Sequence, residues 1–277
     1  PISQDAGSNG NLISLALIWN PTLPLVRSNG IYNQENPSGQ VNPLALSEAY
    51  NDVTDVTTLL GSVSAAYKFT DWLEYRMLYG MNYSTGNRKA EILGWIRATG
   101  GNAPGNGEAG VFTNKLQSST VTHTLTFTKD LSQNFSLTAL AGYEYWKTNF
   151  EGNGAYVYGF NYNLTQGPTN VHYYDNMGAG KQGNLVYGSS KDPSVEIQSY
   201  FARAVMNWSD RYLLTATFRA DGSNKFGKNN RYAYFPSVAA AWNIDHEEFL
   251  KDNNTFQALK LRDGYGETGN QEFAADA

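Results

Sequence analysis

The sequence predicts an all-β fold of antiparallel strands, and specifically part of a transmembrane β-barrel. Three observations support this fold class. Apolar and polar residues alternate with period two in many segments, several of these segments exceed ten residues, and short connections alternate with long ones. Period-two alternation sends successive side chains to opposite faces of a sheet. Strands of soluble domains are usually shorter than these segments, so their length favours a membrane-spanning sheet.

The segment RYLLTATFRADG, which begins at Arg211, shows the alternation most clearly. Its even-numbered positions from 212 to 218 are apolar, and the odd-numbered positions after Leu213 are polar: Thr215, Thr217, Arg219 and Asp221. We interpret the apolar side of such strands as facing lipid and the polar side as facing a wet lumen. The same alternation predicts strands, in chain order, at 56–69, 72–83, 119–129, 133–147, 194–208, 211–222, 232–244 and 256–266.

The connections between these strands alternate between short and long. Tight turns are predicted at Thr70–Asp71, around Asp130 and at Ser209–Asp210, whereas long loops are predicted at about 20–54, 84–118 and 148–193. Loops of this length count against a compact soluble domain. Outer-membrane barrels have short periplasmic turns and long extracellular loops, so we place the turns in the periplasm and the loops outside the cell. Aromatic residues near the predicted strand ends suit an interfacial girdle: Trp72, Tyr83, Tyr143, Tyr145, Trp208 and Tyr212.

Composition agrees with a membrane protein and argues against several other classes. Charged residues make up 16% of the chain and aromatic residues 14%, so charge covers less of the surface than is usual for a soluble protein. The formal net charge of -5 argues against a nucleic-acid partner, which would require a basic face. The chain has no cysteine, which excludes disulfides and thiolate metal sites. No run of 18 apolar residues predicts a transmembrane helix, and the apolar patch NLISLALIW (11–19) is ambiguous.

No catalytic residue, metal site or cofactor site is predicted. His123 and His172 are isolated, and His246 lies in the acidic turn DHEEF, which we interpret as solvated because metal sites require clustered ligands. The oxygen-rich run that starts at Asp221 lacks the spaced acids and closing glutamate of a calcium loop, so a turn is the better interpretation. The sequence therefore predicts a protein that is not an enzyme.

Several motifs resemble one known family. RADGSNKFG, which begins at Arg219, is followed by FPSVAAAW (235–242), by EEF (247–249) and by LKLRDGYGETGNQ (259–271). Upstream lie NPTLPLVRSNGIY (20–32) and VNPLAL (41–46). In this order the motifs resemble those of the SusC/RagA-like TonB-dependent transporters of the outer membrane. The resemblance covers nearly the whole chain.

The resemblance implies more than the alternation shows. Such transporters have a 22-stranded barrel in outer-membrane lipid, an N-terminal plug, a segment that TonB pulls, and a SusD-like surface lipoprotein as a lid. They import oligosaccharides or peptides and need no cofactor. Residues 1–277, which begin at Pro1, would then be an internal part of one barrel domain, with eight or nine strands and without the plug or the TonB-contacting segment.

One residue departs from the family pattern. Asp263 stands where a small or apolar residue is usual, on the same predicted strand face as Leu259, Leu261 and Tyr265. Either the local register differs, or this position lies outside lipid.

Charged residues on the predicted lumen side are the first set of candidate site residues. Arg219 and Asp221 lie two apart on one strand face, as do Glu74 and Arg76, and Lys260 and Arg262. Arg203 belongs to the polar side of its own strand. These side chains either contact cargo or the plug, or form ion pairs that stabilise the barrel wall, and the sequence leaves both interpretations open.

Aromatic residues of the long loops are the second set. Tyrosine offers a broad apolar face and a hydroxyl at low entropic cost, which suits sugars, peptides or a protein lid. Alternation from position 156 to 162 is equally consistent with a strand that continues beyond the membrane. The candidates for contact with cargo or lid are Trp95, Tyr156, Tyr158, Tyr162, Tyr173, Tyr174 and Tyr187.

Two other functions remain open at this point. The first alternative is a non-transporting outer-membrane adhesin or receptor built on a similar barrel. The second is a soluble glycan-binding β-sandwich, which the long strands and the one-sided loops disfavour.

Overall fold

A computed structural model describes residues 12–34, 40–96, 107–160, 170–250 and 258–269. Within these ranges the chain forms two short helices, α1 (Leu12–Ile18) and α2 (Pro43–Ala49), and nine strands. The strands are β1 (Tyr50–Thr70), β2 (Leu73–Ile92), β3 (Glu108–Ser132), β4 (Phe135–Tyr158), β5 (Val186–Lys191), β6 (Val195–Trp208), β7 (Tyr212–Ser223), β8 (Tyr232–Asn243) and β9 (Lys260–Gly266). No helix among the described residues has the length and apolar character needed to cross a membrane.

The nine strands form one antiparallel sheet, as predicted. Neighbours along the sheet follow the order β1-β2-β3-β4-β6-β7-β8-β9, so successive long strands are joined as hairpins. Strand β5 lies off this path and pairs with the far end of β4, at Glu151 to Tyr156. The loop predicted at 148–193 therefore contributes a strand of its own.

Tight turns join the hairpins close to the predicted positions. Ser209 and Asp210 both have positive φ, of 52° and 53°, and the backbone N–H of Arg211 donates to the carbonyl of Trp208 at 3.0 Å, as in the positive-φ turns that suit β-hairpins. Asn207 stabilises this turn, because its side-chain oxygen accepts a hydrogen bond from the backbone N–H of Asp210 at 3.1 Å. The first turn lies at Asp71 and Trp72, one residue later than the sequence predicts.

The strands extend well into the segments that the sequence predicts as loops. Strand β2 continues to Ile92, β3 begins at Glu108 and β4 continues to Tyr158. Apolar and polar residues no longer alternate regularly in these parts of the strands. The strands continue because their pairing is made by backbone hydrogen bonds, which do not require that alternation. Because the strands are longer than predicted, Tyr83, Tyr143 and Tyr145 lie within them and not near their ends.

One face of the sheet is apolar and rich in aromatic rings. A row of ring contacts runs across it from Tyr75 to His123, Tyr143, Tyr200 and Tyr232, with centroids 5.2 to 6.5 Å apart. At the tight turns, Trp72 contacts Phe127, Phe135 contacts Trp208, and Tyr212 contacts Trp242. Large apolar side chains of this face are exposed, Phe218 and Leu214 among them.

Asp263 keeps the regular register of strand β9. It lies opposite Ala240, between the pairs Arg262 with Ala241 and Gly264 with Ala239. Its side chain therefore shares the apolar face with Leu261 and Trp242. A local change of register is excluded, which leaves a position outside the hydrocarbon layer as the open interpretation.

The chain divides into two compact units. The loop unit contains the described residues within 1–58, 84–115 and 151–191, and the sheet unit contains those within 59–83, 116–150 and 192–277. The cluster of buried apolar side chains lies in the loop unit: Leu15, Ala45, Leu46, Ala49, Ile92, Leu93, Ile96, Ala109, Val157, Phe160 and Tyr173. In the sheet unit, in contrast, large apolar side chains are exposed, as expected for strands that face lipid.

Both helices belong to the loop unit. The ambiguous apolar patch at 11–19 forms α1, whose Leu15 is buried. Asn42 caps α2, because its side-chain oxygen accepts hydrogen bonds from the backbone N–H groups of Leu44 and Ala45 at 2.9 and 3.2 Å. Pro43 follows at the first helical position, where its missing N–H costs nothing.

Candidate functional site

A polar network on three neighbouring strands of the sheet unit surrounds Arg219. The register of the strands brings the members of this network together, because Ser199 on β6 lies opposite Glu144 on β4 and opposite Asp221 on β7. The Nε of Arg219 donates to both carboxylate oxygens of Asp221 at 2.7 and 2.9 Å. Its Nη2 donates to the buried Ser199 hydroxyl at 2.9 Å and to Glu144 at 3.4 Å. The side chain of Arg219 nevertheless keeps 39% of its surface exposed, so the network can meet a solute.

Phe201 belongs to the same site, although it is not among the predicted site residues. It lies opposite Arg219 on one side and Gly142 on the other, and the guanidinium of Arg219 lies 5.6 Å from its ring centroid. A Cβ at position 142 would overlap the ring of Phe201, so the glycine makes room for it. The signal available in the sequence was a phenylalanine on the polar side of its strand, between Ser199 and Arg203.

The other charged candidates lie apart from this network. Arg76 and Glu74 form their own ion pair at 3.1 Å. Arg203 lies opposite Leu140 and Thr217. Lys260 and Arg262 are exposed on β9, opposite Asn243 and Ala241. Of the predicted lumen set, only Arg219 and Asp221 belong to this network, and Glu74 and Arg76 pair separately.

In the loop unit, a buried carboxylate organises the segment that contains Tyr173. The Glu91 side chain is fully buried and accepts hydrogen bonds from the Tyr173 backbone N–H at 2.6 Å and from Asn51 Nδ2 at 2.9 Å. His172 Nδ1 lies 2.6 Å from the same carboxylate. The sequence offered a signal, because Glu91 is a lone charge in the apolar run that continues with Ile92 and Leu93.

Tyr173 is fully buried, which contradicts its predicted place on an exposed surface. Its ring stacks on Phe160 with centroids 4.2 Å apart, and its hydroxyl accepts a hydrogen bond from the backbone N–H of Gly94 at 3.3 Å. The apolar cluster of the loop unit needs a large side chain here, so Tyr173 packs inward and acts as structural support.

Tyr174 lies beside Tyr173 but remains partly exposed. His172 stacks on its ring at 4.7 Å, and Lys89 Nζ lies 5.4 Å from the ring centroid. Lys89 also forms an ion pair with Asp175 at 2.8 Å. Burial raises the pKa of the Tyr174 hydroxyl, so this group is a neutral hydrogen-bonding partner at neutral pH.

A groove of about 550 Å³ opens beside strands β4 and β5 in the loop unit. Phe112, Asn114, Tyr156 and Ser190 contribute to its walls, and Gly152 and Gly154 leave its floor without side chains. A Cβ at Gly154 would overlap the Phe112 ring, so this glycine permits the close approach. The groove combines aromatic surface with hydroxyl and amide groups.

Ionisable groups around this groove pair with one another. Arg88 donates to Asp52 through Nε and Nη2, the shortest contact being 2.8 Å. Burial alone would raise the pKa of Asp52, but hydrogen bonds from Arg88 and Tyr50 outweigh it and lower the pKa. Tyr156 donates to Glu108, and burial, reinforced by this bond, raises the pKa of the Tyr156 hydroxyl. The groove therefore suits a neutral ligand.

The remaining aromatic candidates are dispersed within the loop unit. Trp95 stacks on Tyr32 at 5.8 Å. Tyr158 ends β4, so the strand includes Tyr156 and Tyr158 but not Phe160, and the rings of Tyr156 and Tyr158 lie 6.4 Å apart. Tyr187 lies on β5 and is 74% exposed. Tyr162 lies outside the described residues.

Comparisons with known proteins agree with the barrel architecture. No family model matches the chain. It is 34% identical over 273 residues to TonB-dependent receptor P3 of Formosa agariphila. This alignment covers 97% of this chain and 26% of the relative. It is 32% identical over 247 residues to TonB-dependent receptor SusC of Bacteroides thetaiotaomicron. That alignment covers 87% of this chain and 22% of the relative.

A solved structure gives the same result for the fold. The structure superposes on the RagAB peptide transporter with a TM-score of 0.75 and 20% sequence identity, over 89% of this chain and 27% of that chain. The chain thus spans about a quarter of the length of the proteins that it matches.

Proposed function

The chain belongs to the SusC/RagA-like TonB-dependent receptors of the outer membrane, and we propose that the protein imports oligosaccharides or peptides by TonB-coupled transport. The observation that carries this proposal is the sheet with two unlike faces, in a chain that aligns along 97% of its length with a TonB-dependent receptor. One face exposes rings and aliphatic side chains, and strands of the same sheet hold the Arg219 network. A barrel with a polar interior provides a path for polar cargo.

The Arg219 network is best assigned to the barrel wall next to that path. Arg219 uses three of its five N–H groups, those of Nε and Nη2, on three partners, so most of its donors are engaged within the sheet. Its exposed fraction and the neighbouring Phe201 ring still present a surface to a passing solute. We therefore propose that this cluster holds three strands together and lines the path, without binding cargo tightly.

Exposed aromatic groups of the loop unit are the proposed contacts for cargo and for a SusD-like lipoprotein lid. Tyr187 and Tyr174 are accessible, and the groove beside Tyr156 offers aromatic surface with hydroxyl and amide partners. Large aromatic anchors dominate binding energy at many protein surfaces. The neutral groove and these rings suit both a glycan and an uncharged stretch of peptide.

Uptake in the source bacterium tests the proposed function. The complete gene is deleted in frame, and uptake of radiolabelled oligosaccharides and oligopeptides is compared in the deletion strain, the complemented strain and a strain without TonB. We expect one cargo class to enter only when both the receptor and TonB are present. Equal uptake in all strains would contradict the import function. If the receptor then still bound cargo or a host surface, the result would support a non-transporting adhesin.

A further inference from the structure

Strand β5 has an open edge. It pairs with β4 from Glu151–Lys191 to Tyr156–Val186, and among the described residues its other edge has no partner strand. All six of its residues are exposed, and 71% of the side-chain surface of Lys191 is accessible to solvent. An open strand edge presents a row of unpaired backbone donors and acceptors.

The register identifies which residues present those groups. The backbone N–H of Asp192 donates to the carbonyl of Phe150 at 3.0 Å, so residue 192 is hydrogen-bonded to β4. In an antiparallel pair such residues alternate with residues whose backbone groups point away. Tyr187, Ser189 and Lys191 therefore direct their N–H and C=O groups to the open edge.

Charge distinguishes one end of this edge from the other. Glu151 contacts Lys115 at 2.9 Å and Lys191 at 3.9 Å, so two cations share one carboxylate. Asp192 adjoins Lys191, so the two cations and two carboxylates at this end carry no net charge. Lys191 is nevertheless accessible, because it keeps 71% of its side-chain surface exposed and lies 3.9 Å from Glu151, so an acidic group of a ligand can pair with its ammonium group.

From these features we propose that the open edge of β5 binds an extended peptide by strand addition, with an acidic residue or the C-terminal carboxylate next to Lys191. Alternating backbone donors and acceptors match another extended polypeptide, whereas sugar hydroxyls do not reproduce that spacing. Six residues span roughly 20 Å, the length of a six-residue strand. The inference rests on the proposed function, and it assigns peptide cargo to this site.

Peptide probes with blocked backbone groups test the pairing directly. The probe is an N-acetylated hexapeptide of alternating threonine and valine that ends in glutamate, and its binding to the purified full-length receptor is measured. Two further probes carry N-methyl groups on the odd or on the even residues. Strand addition uses only one alternate set of N–H groups, so we expect one methylated probe to bind and the other to lose affinity. Equal affinities of the two methylated probes would overturn the proposal.

A proline on the open edge tests the same contact from the receptor side. Ser189→Pro removes an outward N–H group without removing a hydrogen bond to β4, whereas the control Ser189→Ala keeps that N–H. We expect Ser189→Pro to weaken probe binding by about tenfold or more, and Ser189→Ala to bind as the wild type does. Unchanged binding by a folded Ser189→Pro receptor would contradict the proposal.

Other occupants of the edge give different results. Loss of a co-purifying lipoprotein from Ser189→Pro, with probe binding unchanged, would assign the edge to the lid and overturn peptide binding. The binding assay requires no TonB, so it is separate from the uptake experiment. Probe binding without TonB-dependent uptake would overturn the proposed import function but not peptide binding at the open edge of β5. TonB-dependent uptake, with no effect of Ser189→Pro on probe binding, would overturn peptide binding at this edge but not the import function.

Discussion

The carboxylate of Glu91 accepts the backbone N–H of Tyr173 at 2.6 Å, although 82 residues separate the two in the chain. The same carboxylate accepts a hydrogen bond from Asn51 and lies against His172. This contact fastens the segment before β5 to the end of β2. Removal of Glu91 would leave buried donors without an acceptor.

Glu91→Ala is therefore expected to release residues 170–184. Each buried donor left unpaired costs about 1–3 kcal/mol, so local opening should become at least several-fold more frequent. Hydrogen exchange of the full-length receptor measures this as faster exchange in peptides from 170–184. Lys89→Ala is the matched control, because Lys89 joins the same strand to Asp175 through an exposed ion pair, which contributes little. Equal exchange in the two variants would contradict the role of Glu91.

Gly142→Ala is expected to destabilise the barrel. The new methyl group would overlap the Phe201 ring, and overpacking of this kind typically costs about 1–3 kcal/mol. Gly80→Ala is the control, since a Cβ at position 80 meets no atom within 4 Å. Unfolding of the full-length receptor in lipid by urea compares the two. Phe201→Ala in the Gly142→Ala background should restore stability in part, and a Gly142→Ala receptor as stable as Gly80→Ala would refute the contact.

Sidedness can be tested with single cysteines at Asp71 and Asn170, because the chain itself has none. Position 71 lies in a two-residue turn and position 170 in the long connection between β4 and β5. We expect a membrane-impermeant thiol reagent to label position 170 on intact cells, and position 71 only after the outer membrane is opened. Labelling of position 71 but not position 170 on intact cells would reverse the topology.

Tyr187→Ala is expected to weaken cargo or lid association, because this exposed ring can act as an anchor. The predicted loss exceeds about 1 kcal/mol, the usual threshold for an interface anchor. Lid co-purification and cargo uptake are measured at matched surface expression. Tyr187→Phe is the comparison, since it keeps the exposed ring and removes only the hydroxyl, so it should leave both values nearly unchanged. Wild-type values for Tyr187→Ala in both assays would remove Tyr187 from the contact surface.

Much of the fold could be predicted because alternation reports directly on a sheet with unlike faces. The strand that contains Arg219 and the turn at Ser209–Asp210 have the predicted placement. The parts of β2, β3 and β4 that lie in the predicted loops could not be predicted as strands, because their side chains alternate without a consistent apolar face. Strand β5 is short and rich in glycine and serine, which gives no strand signal.

The candidate site was less predictable, because it depends on contacts between distant segments. Arg219 and Asp221 share a strand face, so their ion pair follows from spacing. The partners Ser199 and Glu144 depend on the register between strands, which composition does not specify. Tyr173 resembles the other loop tyrosines in sequence, and only its stacking on Phe160 distinguishes it as a buried residue.

The alternation of environments along β6 tests the central claim most directly, namely that the apolar face of this sheet meets lipid and the opposite face meets water. Spin labels are placed one at a time at Ala202, Arg203, Ala204 and Val205 of the full-length receptor in lipid, with collisions measured for oxygen and for a water-soluble nickel chelate. Labels at 202 and 204 should collide mainly with oxygen, and labels at 203 and 205 mainly with the chelate, because successive residues of a strand face opposite sides. The inverse pattern, or four labels with the same accessibility, would contradict the assignment of this sheet to an outer-membrane barrel.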